Sequence, residues 1–127
     1  IASVNDIEKS CKEIQPFLEA HFDADNPQAV IDRSNDLSSY MALSSKMYAD
    51  ARYRYNEVLN SVFIEAVRTG NANKMQTSTL NKYIDSLCRD YSYLVDWTER
   101  INRACTHQLD MCRSLLSKLK AEMQMMR

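Results

Sequence analysis

The residues best suited to chemistry cluster near the C-terminal end: Cys105, His107, Asp110, Cys112 and Ser114. Two thiols and an imidazole are common zinc ligands, but the spacing refuses the site. Cys105 and Cys112 are seven residues apart, about 10.5 Å along a helix. Two thiolates on one zinc ion each lie about 2.3 Å from it. His107 points roughly 200° around the helix from Cys105 at a 100° step per residue. The pattern reads as core thiols beside an edge imidazole, with no metal and no cofactor. His107 and Asp110 can pair on one helical face. A catalytic pair also needs a nucleophile, and Cys112 and Ser114 offer proximity without a strand-turn-helix elbow or an oxyanion site. A phosphotransfer histidine lacks the neighbouring glycine that lets phosphate approach.

The other chemistries fare similarly. Carboxylate-bridged iron bundles use Glu-x-x-His, and neither His21 nor His107 has a Glu three residues before it. His21 reads as a solvated residue among acids. Glu57, Glu65 and Glu99 sit at helical spacing from basic partners and read as surface pairs. One Gly in the whole chain cannot build a phosphate-cradling loop. No catalytic residue emerges, and the chain reads as a non-enzyme.

The segment Lys46–Tyr55 interleaves Arg52 and Arg54 with Tyr48, Tyr53 and Tyr55. Aromatic stacking beside phosphate-binding arginines is how single strands are held without sequence preference. With Arg100 and Arg103 these arginines are the candidate nucleic-acid contacts. An amphipathic helix with a charged outer face explains the same residues and is preferred.

The elements that would position these residues are helices. One Gly and two Pro in 127 residues are too few turn formers for a β-rich fold. Apolar residues recur from Leu80 through Ile84, Leu87, Tyr91, Leu94, Ile101, Cys105, Leu109, Cys112, Leu116, Leu119, Met123 and Met126, with Thr98 the single interruption. Steps of three and four place them on one helical stripe. Two fours in succession at Ile101–Cys105–Leu109 make a stutter. A second row runs through Val30, Ser34, Leu37, Met41, Ser44, Tyr48, Ala51, Tyr55, Val58 and Val62.

These rows predict an all-α fold: a long antiparallel hairpin of helices at about 27–69 and 79–127, roughly 65 and 70 Å long. Asn26 and Pro27 open the first, Gly70 closes it, and Thr77 or Ser78 caps the second. A shorter helix over Val4–Phe22, capped by Ser3 or Asn5, precedes them, with Pro16 expected to kink or break it near Gln15. The whole, 1–127, is one helical domain: an acidic N-terminal segment at 1–25 and the hairpin at 27–127. It is either a coiled-coil-like three-helix bundle or an oligomer.

Charge divides unevenly. Residues 1–36 carry net −5 and residues 37–127 net +4 within an overall −1. The preferred reading is an acidic segment folded over a basic remainder; the overall balance argues against general affinity for nucleic acid. The four cysteines suit reduced thiols in a cytoplasmic setting. No apolar run reaches membrane-spanning length, and no signal-peptide pattern opens the chain.

Tyr83, Tyr93 and Trp97 lie off the main stripe and need cover. A dimer or helical partner docking on them is one expectation, and packing of Trp97 beneath the first helix is the other. Tyr48, Ala51, Arg52 and Tyr55, then Leu109, Arg113, Ser114, Leu115, Ser117, Leu119, Lys120 and Glu122, resemble small helical proteins of phages and prophages. Some of those lie near recombination and single-strand-DNA genes. The resemblance implies a helical hairpin in a mobile-element setting. The reading is an interaction or oligomerisation module, with an accessory role in DNA recombination or single-strand binding as the alternative.

Overall fold

A computed structural model describes residues 1–126, with the backbone alone at residues 71 and 72. It is all-helical, with no strand among the described residues: α1 Val4–Glu19, α2 Pro27–Arg68, α3 Asn71–Lys74, α4 Thr77–Leu87 and α5 Arg89–Met125. No helix is long and apolar enough to cross a membrane among these residues.

Local chemistry sets the ends of the first two helices. Ser3 Oγ accepts the Asp6 N–H at 3.1 Å and starts α1. Asn26 Oδ1 accepts from Gln28 and Ala29 N–H, and Pro27 needs no donor in the first turn of α2. Gly70 follows α2 at φ 78°, a conformation open to glycine at little cost. Pro16 does not break α1, which runs one turn further to Glu19. Phe17 in that turn packs on Tyr40 with ring centroids 4.8 Å apart, so tertiary cover outweighs the lost backbone donor.

The final helix differs from expectation. Instead of one helix from 79, α4 and α5 meet at Cys88, whose φ of −101° and ψ of 8° depart from helical values. Cys88, at the edge of the expected stripe, is fully buried, and Leu87, expected on the stripe, is exposed. Thr77 is the first residue of α4 rather than a cap, and the capping position is taken by Gln76, which makes no side-chain bond. The expected continuation to Arg127 lies outside the described residues.

Contacts between α2 and α5 run in opposite directions. Arg33 meets Gln108, Ser44 and Ser45 meet Asn102, and Val62 and Ala66 share a groove with Tyr83 and Leu87 of α4. The buried row of α5 is Leu94, Thr98, Ile101, Cys105, Leu109 and Cys112. Thr98 is tolerated because its Oγ1 donates to the Leu94 carbonyl at 2.7 Å. α1 lies on both long helices and buries Ile7, Cys11 and Ile14.

On α2 the buried residue after Val30 is Arg33, not Ser34, which is only half-buried. The Arg33 guanidinium lies 4.0 Å from the Phe17 ring centroid and 5.1 Å from that of Phe22. It donates to Gln108 Oε1 at 2.7 Å and makes a long 3.5 Å contact to the Leu18 carbonyl. Burial lowers its pKa from the ordinary arginine value, opposed by the nearby Cys112 and Asp36. A buried charge held without a bridging carboxylate depends on shape and rings. Arg33→Ala should therefore lower unfolding stability by roughly 2–4 kcal/mol. Arg33→Met, which refills the volume without the charge, should cost clearly less. Urea melts of the two variants check the order.

Candidate functional site

Polar ties hold the helices together. The two hydrogens of Asn102 Nδ2 are shared among Met41 O, Ser44 Oγ and Ser45 Oγ at 3.1, 3.0 and 2.7 Å, pinning α5 to the small-residue stretch of α2. Gln108 Nε2 donates to Leu18 O at 3.0 Å beside Arg33, so both side chains serve the C-terminal turn of α1, which has no basic residue of its own. Trp97 Nε1 donates to Gln15 Oε1 at 3.0 Å. At the opposite end of α1, Asp50 accepts the Ala2 N–H at 3.0 Å and both its oxygens lie 2.6 Å from Lys46 Nζ. Arg54 donates to Ala2 O and Ile1 O.

Every ion pair among the described residues joins positions three or four apart on one helix. The acidic α1 is therefore seated on its neighbours by apolar packing and hydrogen bonds, not by bridges to a basic surface.

This places the candidate contacts. Trp97 is half-buried under α1, the second of the two arrangements considered for it. Tyr93 stays exposed, its ring centroid 5.7 Å from that of Trp97. Asp96 and Arg100 complete a shallow groove of about 300 Å³ around these two rings. Tyr83 belongs to a different groove, where it and Leu87 of α4 face Val62 and Ala66 of α2. Of the arginines, Arg54 is tied to the first two residues and Arg103 bonds Glu99 at 2.6 Å. Arg52 lies over the Tyr48 ring at 5.7 Å, and Arg100 lies in the Tyr93–Trp97 groove. The four are not gathered at one groove.

The sequence reading missed Arg33, Asp50 and Asn102. Arg33 carried a usable signal, since it stands three after Val30 and four before Leu37. Asp50 and Asn102 carried none, because each touches an apolar row only as the neighbour of Ala51 or Ile101.

No three His, Cys, Asp or Glu side chains converge as a metal site among the described residues. His21 and His107 are exposed. All four cysteines are free and buried. Burial pushes the Cys11 thiol up to about 11, with Glu8 adding to it. Burial also raises Cys88, where Asp85 adds to it, and Cys105, where Ser44 and Arg33 oppose it. No family model, curated protein or solved structure matches this chain.

Two outcomes follow from these geometries. Because the thiolate is the reactive form, a thiol reagent should label none of the four cysteines in native buffer and all four in denaturant. Rapid labelling of even one in native buffer would contradict the packing. For Asp50, burial raises the carboxyl pKa, but hydrogen bonds from Lys46 and the Ala2 N–H, with the Lys46 charge, outweigh it and leave it below its ordinary value. A depressed folded pKa stabilises above the unfolded value of about 3.9, and that contribution is lost as pH falls through the folded value. Asp50→Asn should lower stability at neutral pH and flatten its loss as pH falls below the unfolded value of about 3.9. Thermal melts across that range measure both.

Proposed function

We propose that this chain is a non-enzymatic helical interaction module that self-associates. In this reading α2 and α5 form an antiparallel, coiled-coil-like hairpin. α1 completes a three-helix bundle over part of its length, and the uncovered part binds another helical surface. The observation that carries the reading is the set of large apolar side chains left in solvent on regular helices: Phe63, Ile64, Val67, Tyr83 and Leu87 near the turn, and Met123, Met125 and Met126 at the far end. Single exposed apolar residues are ordinary, but runs of them on rigid helices mark contact surfaces. The two grooves at the ends of the long helices, at Leu116–Met123 and at Val62–Leu87, are open and mostly apolar, which suits recognition better than turnover. Placement in a phage or other mobile element is part of the proposal and rests on the resemblance of the Tyr48–Tyr55 and His107–Glu122 segments.

The second reading, an accessory role with single-stranded nucleic acid, is supported by Arg100 beside the Tyr93 and Trp97 rings. Stacking rings next to a guanidinium suit bases and phosphate. It is the weaker reading, because Arg54 and Arg103 are spent on contacts within the chain.

Light scattering over a concentration series should give a mass rising above the 14.7 kDa of one chain. A constant single-chain mass up to millimolar concentration would sink the first reading. For the second, a mobility shift with single-stranded DNA at low salt should appear and weaken steeply as salt rises. No shift at low salt rules it out.

A further inference from the structure

Tyr93, Asp96, Trp97 and Arg100 are spaced by steps of three, one and three along α5, which puts them on one face of the helix. Together they line the groove of about 300 Å³. Its two charges are idle. Asp96 and Arg100 are exposed and four residues apart, a spacing at which an acid and a base can pair. Neither forms an ion pair among the described residues, whereas Arg103 is closed on Glu99 and Arg113 on Asp110. The rings are set differently from the charges. Trp97 is fixed from the α1 side, since its Nε1 donates to Gln15 Oε1 at 3.0 Å and Gln15 Nε2 in turn donates to Glu19 Oε1 at 3.1 Å. Tyr93 is 61% exposed and its ring is tilted 53° to that of Trp97. A flat ligand can therefore lie parallel to one ring and edge-on to the other.

We propose that this groove holds a guanine base of a single-stranded nucleic acid. The proposal rests on the second reading above and names the base that the site selects; it does not depend on self-association. The rings suit a flat base, and the free Arg100 guanidinium suits a phosphate. These two features accept any nucleotide. Asp96 decides among the bases. A carboxylate beside a polyanion is unfavourable unless it reads something, because it repels phosphate. It accepts hydrogen bonds through two oxygens and donates none. Guanine is the base whose Watson–Crick edge presents two adjacent donors, N1–H and the 2-amino group, which match those two oxygens. On the same edge adenine and cytosine set an acceptor nitrogen beside their amino group, and thymine sets a carbonyl on each side of its one N–H. Each of these turns a lone pair toward the carboxylate. A single strand leaves that edge free to be read. Asp96 and Arg100 are one turn apart, about 6 Å along the axis, and the long arginine side chain extends the span. The acid meets the base edge while the guanidinium meets the phosphate across the sugar.

The experiment titrates the full chain at low salt with short thymidine strands that carry guanine, hypoxanthine, adenine or cytosine at the centre. Anisotropy of a labelled strand reports binding, and the emission of Trp97, the single tryptophan, reports where it occurs. The guanine strand should bind about tenfold tighter than the other three, including hypoxanthine, which lacks only the 2-amino group. Trp97 emission should be quenched. Asp96→Asn should bring the guanine strand down to the level of the others, and Arg100→Gln should weaken all four alike. Both positions are exposed, and circular dichroism verifies that helicity is retained. The hypoxanthine comparison uses the unaltered chain, so it decides the matter even if a variant disturbs folding. Equal binding of all four strands overturns the guanine site and leaves the single-strand reading standing. A guanine preference that survives Asp96→Asn, or binding that leaves Trp97 emission unchanged, puts the contact elsewhere and also overturns it. Guanosine monophosphate binding as tightly as the guanine strand makes a free nucleotide the ligand and overturns the strand as its source. No strand bound at low salt removes both the site and the reading beneath it.

Discussion

A guanidinium taken out of water must be compensated on the spot, and this molecule does so by gathering three helices around one. Arg33 is 6% exposed. Its neighbours are the rings of Phe17 and Phe22, the Gln108 amide and the C-terminal turn of α1. Desolvating a charge costs several kcal/mol even after relaxation. Ring faces repay part of this, and the exposed carbonyl end of a helix repays more. Its Nε has no hydrogen-bond partner among the described residues, so the compensation is incomplete. What Arg33 supplies is placement. It sets where α1 ends, and the Asp50 and Arg54 ties at Ala2 set where it begins.

Fixing α1 in this way fixes what it covers. A 16-residue helix spans about 24 Å, against roughly 63 Å for the 42 residues of α2. The short helix shields the middle of the long pair, including Trp97, and leaves both ends open. Those ends hold most of the large apolar side chains that reach solvent.

The charge pattern acquires a different meaning in this light. The separation of acidic and basic residues along the chain suggests an electrostatic fold, yet no ion pair crosses between helices among the described residues. Surface pairs of this kind contribute little to stability.

Helix identity, the start and stop of α2, and the buried row of α5 were legible from residue spacing and capping chemistry. Each is governed by neighbours within a turn or two, and a linear pattern records such neighbours faithfully. The same pattern gave Tyr93 and Trp97 as off-stripe residues but could not say which of them a third helix would cover. Arg33, Asp50 and Asn102 became structural centres only through partners as distant in sequence as Gln108, Ala2 and Ser45. The break at Cys88, which left Cys88 in the core and Leu87 in solvent, likewise followed from packing. A helix can advance its phase by a small backbone distortion at little cost, and periodicity alone does not say where. Sequence determined which segments coil and which stripe of each is apolar; tertiary structure decided how far along them a short third helix reaches, because that depends on contacts between residues no local pattern connects.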